Sequence, residues 1–111
     1  MQKSPFSTIK SVPNANALER QREEAWIGDA VLTLYARLQI LSTKQSMDAS
    51  LASRMTSNQF LSAFGEPTAM EAKLGRIYQE EGLASAFSWI ETNWMPLFRR
   101  QEENRLRKAG K

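Results

Sequence analysis

Two acidic residues stand where acids are costly. Asp29 follows Gly28 inside Glu24-Ala25-Trp26-Ile27-Gly28-Asp29-Ala30-Val31-Leu32, which is otherwise a strong helix pattern. Glu71 stands one turn before Gly75 in Glu71-Ala72-Lys73-Leu74-Gly75. A glycine in a helix interior costs about 1 kcal/mol against alanine, and a carboxylate among apolar side chains is costly without a partner. The two segments share one design, and one arrangement it allows is a crossing of the two helices at their glycines. Their backbones would then lie close, with Asp29 facing Glu71. Two carboxylates at close range repel, so they need a proton, a base or a cation between them. A hard divalent cation, held by one or two carboxylates plus waters and substrate phosphate, is one answer. The plainer answer is that each acid is capped or paired, for example with Lys73, Arg76 or Arg22. Spacing alone leaves both open.

Composition narrows the chemistry further. The chain of 111 residues has no cysteine and no histidine. Disulfides, thiolate and imidazole metal sites, serine–histidine triads and histidine general bases are therefore excluded. What remains is carboxylates, Lys/Arg, hydroxyls and an oxygen-loving metal ion. The net charge is +3 and unevenly spread. From residue 99 onward Arg99, Arg100, Arg105, Arg107, Lys108 and Lys111 face only Glu102 and Glu103. A basic tail on a near-neutral body suits an anionic partner such as RNA, and equally a plain solvated end. No apolar run is long enough to span a membrane and no secretory segment is evident, so a cytoplasmic protein without membrane contact is expected.

The elements that must position these residues are helical throughout. Residues 1–16, rich in Pro, Ser, Thr and Asn, read as an extended arm that Phe6 and Ile9 pin to the body. Asn14 or Asn16 is placed to cap a first helix over 17–41, with Ile27, Val31, Leu34, Tyr35, Leu38 and Leu41 as its apolar stripe. A second helix is predicted over about 47–64, burying Met47, Leu51, Met55, Phe60 or Leu61, and Phe64. Gly65 ends it, and Pro67 opens a third helix that Gly82 stops, with Met70, Leu74, Ile77 and Tyr78 inward. A fourth helix over 83–93 buries Phe87, Ile90 and Trp94, and Pro96 kinks it or starts a fifth. The expected architecture is an all-α bundle of four to five helices. A body over 17–98 lies between the arm and a basic tail over 99–111.

The segment from Glu24 to Leu32 resembles the signature of ribonuclease III catalytic domains. Ala69-Met70-Glu71-Ala72-Lys73-Leu74-Gly75-Arg76-Ile77-Tyr78 resembles their second conserved segment, and Ser57-Asn58-Gln59-Phe60-Leu61 the stretch between the two. The order matches, as does the acidic run into glycine at Glu80-Glu81-Gly82, and the matched pieces span about 17–95. Two of the family's four acidic metal-site positions are acidic here, Asp29 and Glu71. Ala25 and Thr68 occupy the other two. The mini-ribonuclease III subfamily, which has no double-stranded-RNA-binding domain, looks similar at both places. The middle region is shorter than the family's, with Phe64-Gly65-Glu66-Pro67 where mini-ribonuclease III carries a basic RNA-gripping loop.

The resemblance implies an endoribonuclease acting on double-stranded or structured RNA as a homodimer, with Mg²⁺ or Mn²⁺ at Asp29 and Glu71. It puts the signature helix at the dimer seam, which makes Trp26, Ile27 and Ala30 candidate interface residues. Trp26 is read as a dimer or core aromatic rather than a base-stacking group, because duplex RNA is recognised mainly by shape and backbone. Arg22, seven residues before Asp29 on nearly the same face, is a candidate phosphate contact. So are Lys73 and Arg76 beside Glu71, and Arg99, Arg100, Arg105 and Arg107 in the tail. The alternative implied by the two missing acids and the short middle region is a degenerate fold that binds RNA or ribosomes without cutting. A helical dimer used only for protein interaction is the third reading.

Overall fold

The structure is a computed structural model, and it describes residues 16–110. The arm over 1–15, with Phe6, Ile9 and Asn14, and the terminal Lys111 lie outside the described residues. The described chain is all-helical, in six segments: α1 (Ala17–Lys44), α2 (Ala49–Met55), the single turn α3 (Asn58–Leu61), α4 (Pro67–Glu81), α5 (Leu83–Asn93) and α6 (Met95–Ala109). No helix among the described residues is long and apolar enough to cross a membrane.

Local chemistry sets the boundaries. The Asn16 side chain accepts from the backbone N–H of Glu19 at 2.8 Å and opens α1. That helix runs three residues past its expected end at 41 and closes at Gln45, whose φ of 60° is left-handed. The helix expected over 47–64 is two pieces. Ser57 is extended, and its hydroxyl accepts from the N–H of Phe60 at 3.0 Å, capping a new turn and breaking the run. Glu66 caps α4 through the N–H groups of Thr68 and Ala69, Pro67 sits in the first turn, and Gly82 at φ 95° ends the helix. Pro96 starts α6 rather than kinking α5. The expected boundary between body and tail, at 98/99, falls inside that continuous helix.

The core lies where α1, α4, α5 and the first turn of α6 meet. Leu32, Leu61, Leu74, Ile90, Trp94 and Met95 are its largest fully buried side chains. Phe60 stacks edge-on against Phe98 and Phe64, and Trp94 against Trp89, which ties α3 and α6 to the rest. The stripe expected on α1 is rotated. Val31 and Tyr35 are buried as predicted, but their companions are Glu24, Ala25, Gly28, Leu32, Ala36 and Ile40. Leu34, Leu38 and Leu41 stay exposed, and so does Met47. The close approach of α4 sets this rotation, because it fixes which side of α1 carries Gly28 inward.

Candidate functional site

The crossing of α1 and α4 is built on backbone contact. A Cβ added at Gly28 would stand 1.8 Å from the Glu71 carbonyl oxygen and 2.9 Å from the Gly75 nitrogen. One added at Gly75 would stand 2.0 Å from the Glu24 carbonyl oxygen. No side chain fits at either position without moving a helix backbone. The two glycines are therefore what allow this crossing, and with it Asp29 and Glu71 come together.

Asp29 is exposed on the rim and Glu71 is partly buried, within hydrogen-bonding reach of it. Burial is the main reason the Glu71 carboxyl is pushed up to about 7, with the hydrogen bond and negative charge of Asp29 next and the more distant Glu66 last. At neutral pH a carboxyl raised to about 7 holds a proton part of the time. A second charge at this pair needs a cation. Among the described residues no group of three or more His, Cys, Asp or Glu side chains is placed to hold a metal ion. An ion at this pair would take two protein carboxylates and complete its shell from water and phosphate. The donor set suits a hard, oxygen-seeking ion of that kind. Ala25, one turn before Asp29, is buried, and Thr68 on α4 is partly exposed. Neither adds a carboxylate.

The neighbouring charges are sorted by the fold. Glu24 is 7% exposed, and its carboxylate accepts from the Arg76 guanidinium at 2.9 Å. Arg76, expected as a phosphate contact, is thus the counterion of a buried acid beside the glycine crossing. Lys73 is on the far side of α4 from Glu71, with its ammonium 5.3 Å from the centre of the Trp89 ring. Arg22 is exposed on the Asp29 side of α1. In α6, Arg99 pairs with Glu91 at 2.6 Å and Arg105 lies 3.6 Å from Glu102, while Arg100 and Arg107 are exposed. Trp26 is 78% exposed in the single chain, Ala30 is exposed one turn on, and Ile27 packs partly against the core.

Two polar devices went unforeseen in the sequence. Glu24 belongs to the charged opening turns of α1, which read as projecting past the core, yet it is buried and its partner stands 52 residues away. Tyr35, buried in the core, donates to Glu91, which Arg99 also holds. Burial and then that bond raise the Tyr35 phenol and keep it neutral, while the same bond lowers Glu91. Nothing local around Tyr35 marks that pairing.

No family model matches the chain, and neither a curated protein nor a solved structure does.

Proposed function

We propose that the chain is a metal-dependent endoribonuclease of the ribonuclease III type, hydrolysing phosphodiester bonds in double-stranded or structured RNA. The observation that carries this reading is the pairing of Asp29 with Glu71 at a crossing that only two glycines permit. The motif order that resembles the family supports it. A Mg²⁺ or Mn²⁺ ion at the pair would supply positive charge for the reacting phosphate and a more acidic water. Asp29 and Glu71 would hold that ion, and the glycine contact keeps the two acids at fixed separation. Arg22 would meet phosphate from the same side of α1.

In this reading the protein is a cytoplasmic homodimer joined across the outward face of α1. Trp26, Ala30, Leu34 and Leu41 share that face, and all four are exposed. Ile27 borders it. Duplex RNA incubated with the protein and Mg²⁺ or Mn²⁺ is expected to be cut, and Asp29→Asn and Glu71→Gln to abolish the cut. A purified protein that leaves a panel of duplexes intact with either metal overturns the proposal.

One observation favours a second reading, a non-cleaving RNA- or ribosome-binding protein of the same fold. The pair has only two carboxylates, with none contributed by Ala25 or Thr68. Salt-sensitive RNA binding that survives both acid substitutions, without cleavage, is its signature.

A further inference from the structure

Ion pairs divide the cations of α6 into two groups. Phe98, Met95 and the partly buried Glu102 mark the side of the helix that faces the body. Glu102 is gripped from α2 by a two-pronged bond with Arg54, at 2.8 and 3.0 Å, and Arg105 adds a longer contact. Arg99 is spent on Glu91. Arg100, Arg107 and Lys108 are exposed, and among the described residues none of them has an ion-pair partner.

These three lie on the side away from the body. Arg100 and Arg107 are two turns apart, about 10 Å along the axis and within about 20° of one face. Asn104 lies between them, and Lys108 follows on the flank. Glu103 at the edge is the only acid on the exposed half of the helix. From Glu103 to Gly110 every residue is exposed, so this half of α6 stands clear of the body as a preformed helix.

We infer that the outward face of α6 is a phosphate-binding surface for duplex RNA, made by Arg100, Arg107 and Lys108, apart from the Asp29–Glu71 pair. It rests on the proposed RNA substrate and adds the place where that substrate is held. The charge complementarity is specific to phosphate in two ways. Two of the three cations are guanidinium groups, which take phosphate oxygens in pairs. The only apolar side chains near the face are Pro96 and the half-buried Leu97 at the body end of the helix, whereas a membrane-surface helix buries a continuous apolar face. Exposed Leu106 lies about 100° or more around the helix from Arg100 and Arg107. Fixing the helix through Arg54 and Glu102 keeps the face aimed outward without spending its own cations.

The test is binding of the full chain to a fluorescein-labelled RNA duplex in EDTA, where no metal-dependent cleavage occurs, across 50–200 mM KCl. Arg100→Gln combined with Arg107→Gln is expected to weaken binding about 10-fold or more at low salt. It should also flatten the log–log salt slope by about 1.5 to 2, near 0.9 per lost phosphate contact. Lys44→Gln, measured alongside at a cation at the far end of α1 that pairs with Asp48, should leave that slope as in the wild type. Circular dichroism should show the variants folded, as expected for exposed, unpaired side chains. Wild-type affinity and slope in the double variant overturn the inference, and so does a preference for phosphatidylserine vesicles over the duplex. Slope loss in the double variant, with no cutting by the wild type in Mg²⁺, supports the surface and refutes the nuclease. Cutting by the wild type with an unchanged slope in the double variant does the reverse.

Discussion

Glu71 is the residue whose chemistry depends most on its surroundings. Its carboxyl sits at about 7 because it is partly buried beside Asp29, so the metal-free folded state binds that proton more tightly than the unfolded chain does. The stabilising contribution is complete below an ordinary carboxyl value near 4.5 and is lost as pH rises through about 7. In EDTA, thermal unfolding of the wild type should therefore show a declining stability between about pH 4.5 and 7. The change is at most about 3 kcal/mol, since one pKa unit is worth about 1.4, and about 1–2 is expected for a partly hydrated pair. Glu71→Gln should remove that slope. Asp29→Asn should shift the Glu71 titration, followed by NMR, down toward the usual carboxyl range. A titration that stays near 7 would show that burial alone sets it. Glu24 illustrates the opposite solution, a buried acid with a dedicated counterion. Arg76→Ala leaves that carboxylate without its partner and should cost about 2 kcal/mol in urea unfolding. That is less than the loss of a fully buried pair, because Arg76 is itself nearly half exposed.

At the scale of elements, the contact between α1 and α4 carries the fold. Gly28→Ala and Gly75→Ala each put a methyl group within about 2 Å of a backbone carbonyl oxygen of the other helix. Neither helix can relieve the clash by changing a rotamer. Each substitution should cost about 3 kcal/mol or more, at or above the usual range for overpacking, although alanine is the better helix former. A melting temperature equal to the wild type would refute the backbone contact. The α2–α6 tie is of a lighter kind. Arg54 and Glu102 are partly buried and bonded by two prongs, so Arg54→Ala should cost about 1 kcal/mol at neutral pH. Arg54 holds the Glu102 carboxyl below its usual range, and that stabilisation is lost as pH falls through the lowered value. The difference between wild type and Arg54→Ala should accordingly shrink in acid. Hydrogen exchange should show the outer half of α6 opening first, since nothing beyond Glu102 packs on the body.

Over the described residues the fold is elongated, 57 × 27 × 22 Å, and its surface is divided. The acid pair lies at the α1–α4 crossing, an apolar face with Trp26 lies on the outer side of α1, and a basic face lies on α6. An exposed tryptophan in line along α1 with Ala30, Leu34 and Leu41 is unusual for a face meant for water alone. If the proposed homodimer forms there, sedimentation should give twice the chain mass for the wild type and a single chain mass for Trp26→Glu. The variant should keep its helical circular dichroism, because Trp26 contributes little to the core of one chain. A wild type that sediments as a monomer at high concentration removes α1 from consideration as a seam.

The sequence by itself determined the class of fold and most helix ends, and it marked Asp29 and Glu71 as acids that could meet if their helices cross at the glycines. Those features are local or nearly so. Prolines, glycines and caps act within a turn, and two glycines each set beside an acid constrain how their helices can meet. The α4 helix, expected to open around Pro67 and end near Glu81, runs Pro67–Glu81 for that reason. Tertiary structure decided which side of α1 faces inward. Apolar residues ring that helix broadly enough for several choices, and only the docking of α4 against Gly28 selects Leu32, Ala36 and Ile40 over Leu34, Leu38 and Leu41. It also decided which cations are spent. Arg76 and Arg99 look like Arg100 and Arg107 in the sequence, and the difference lies in acids brought alongside them by folding. Charge pairing between distant segments has no local signature, because its energy depends on separation in space and on burial rather than on position along the chain.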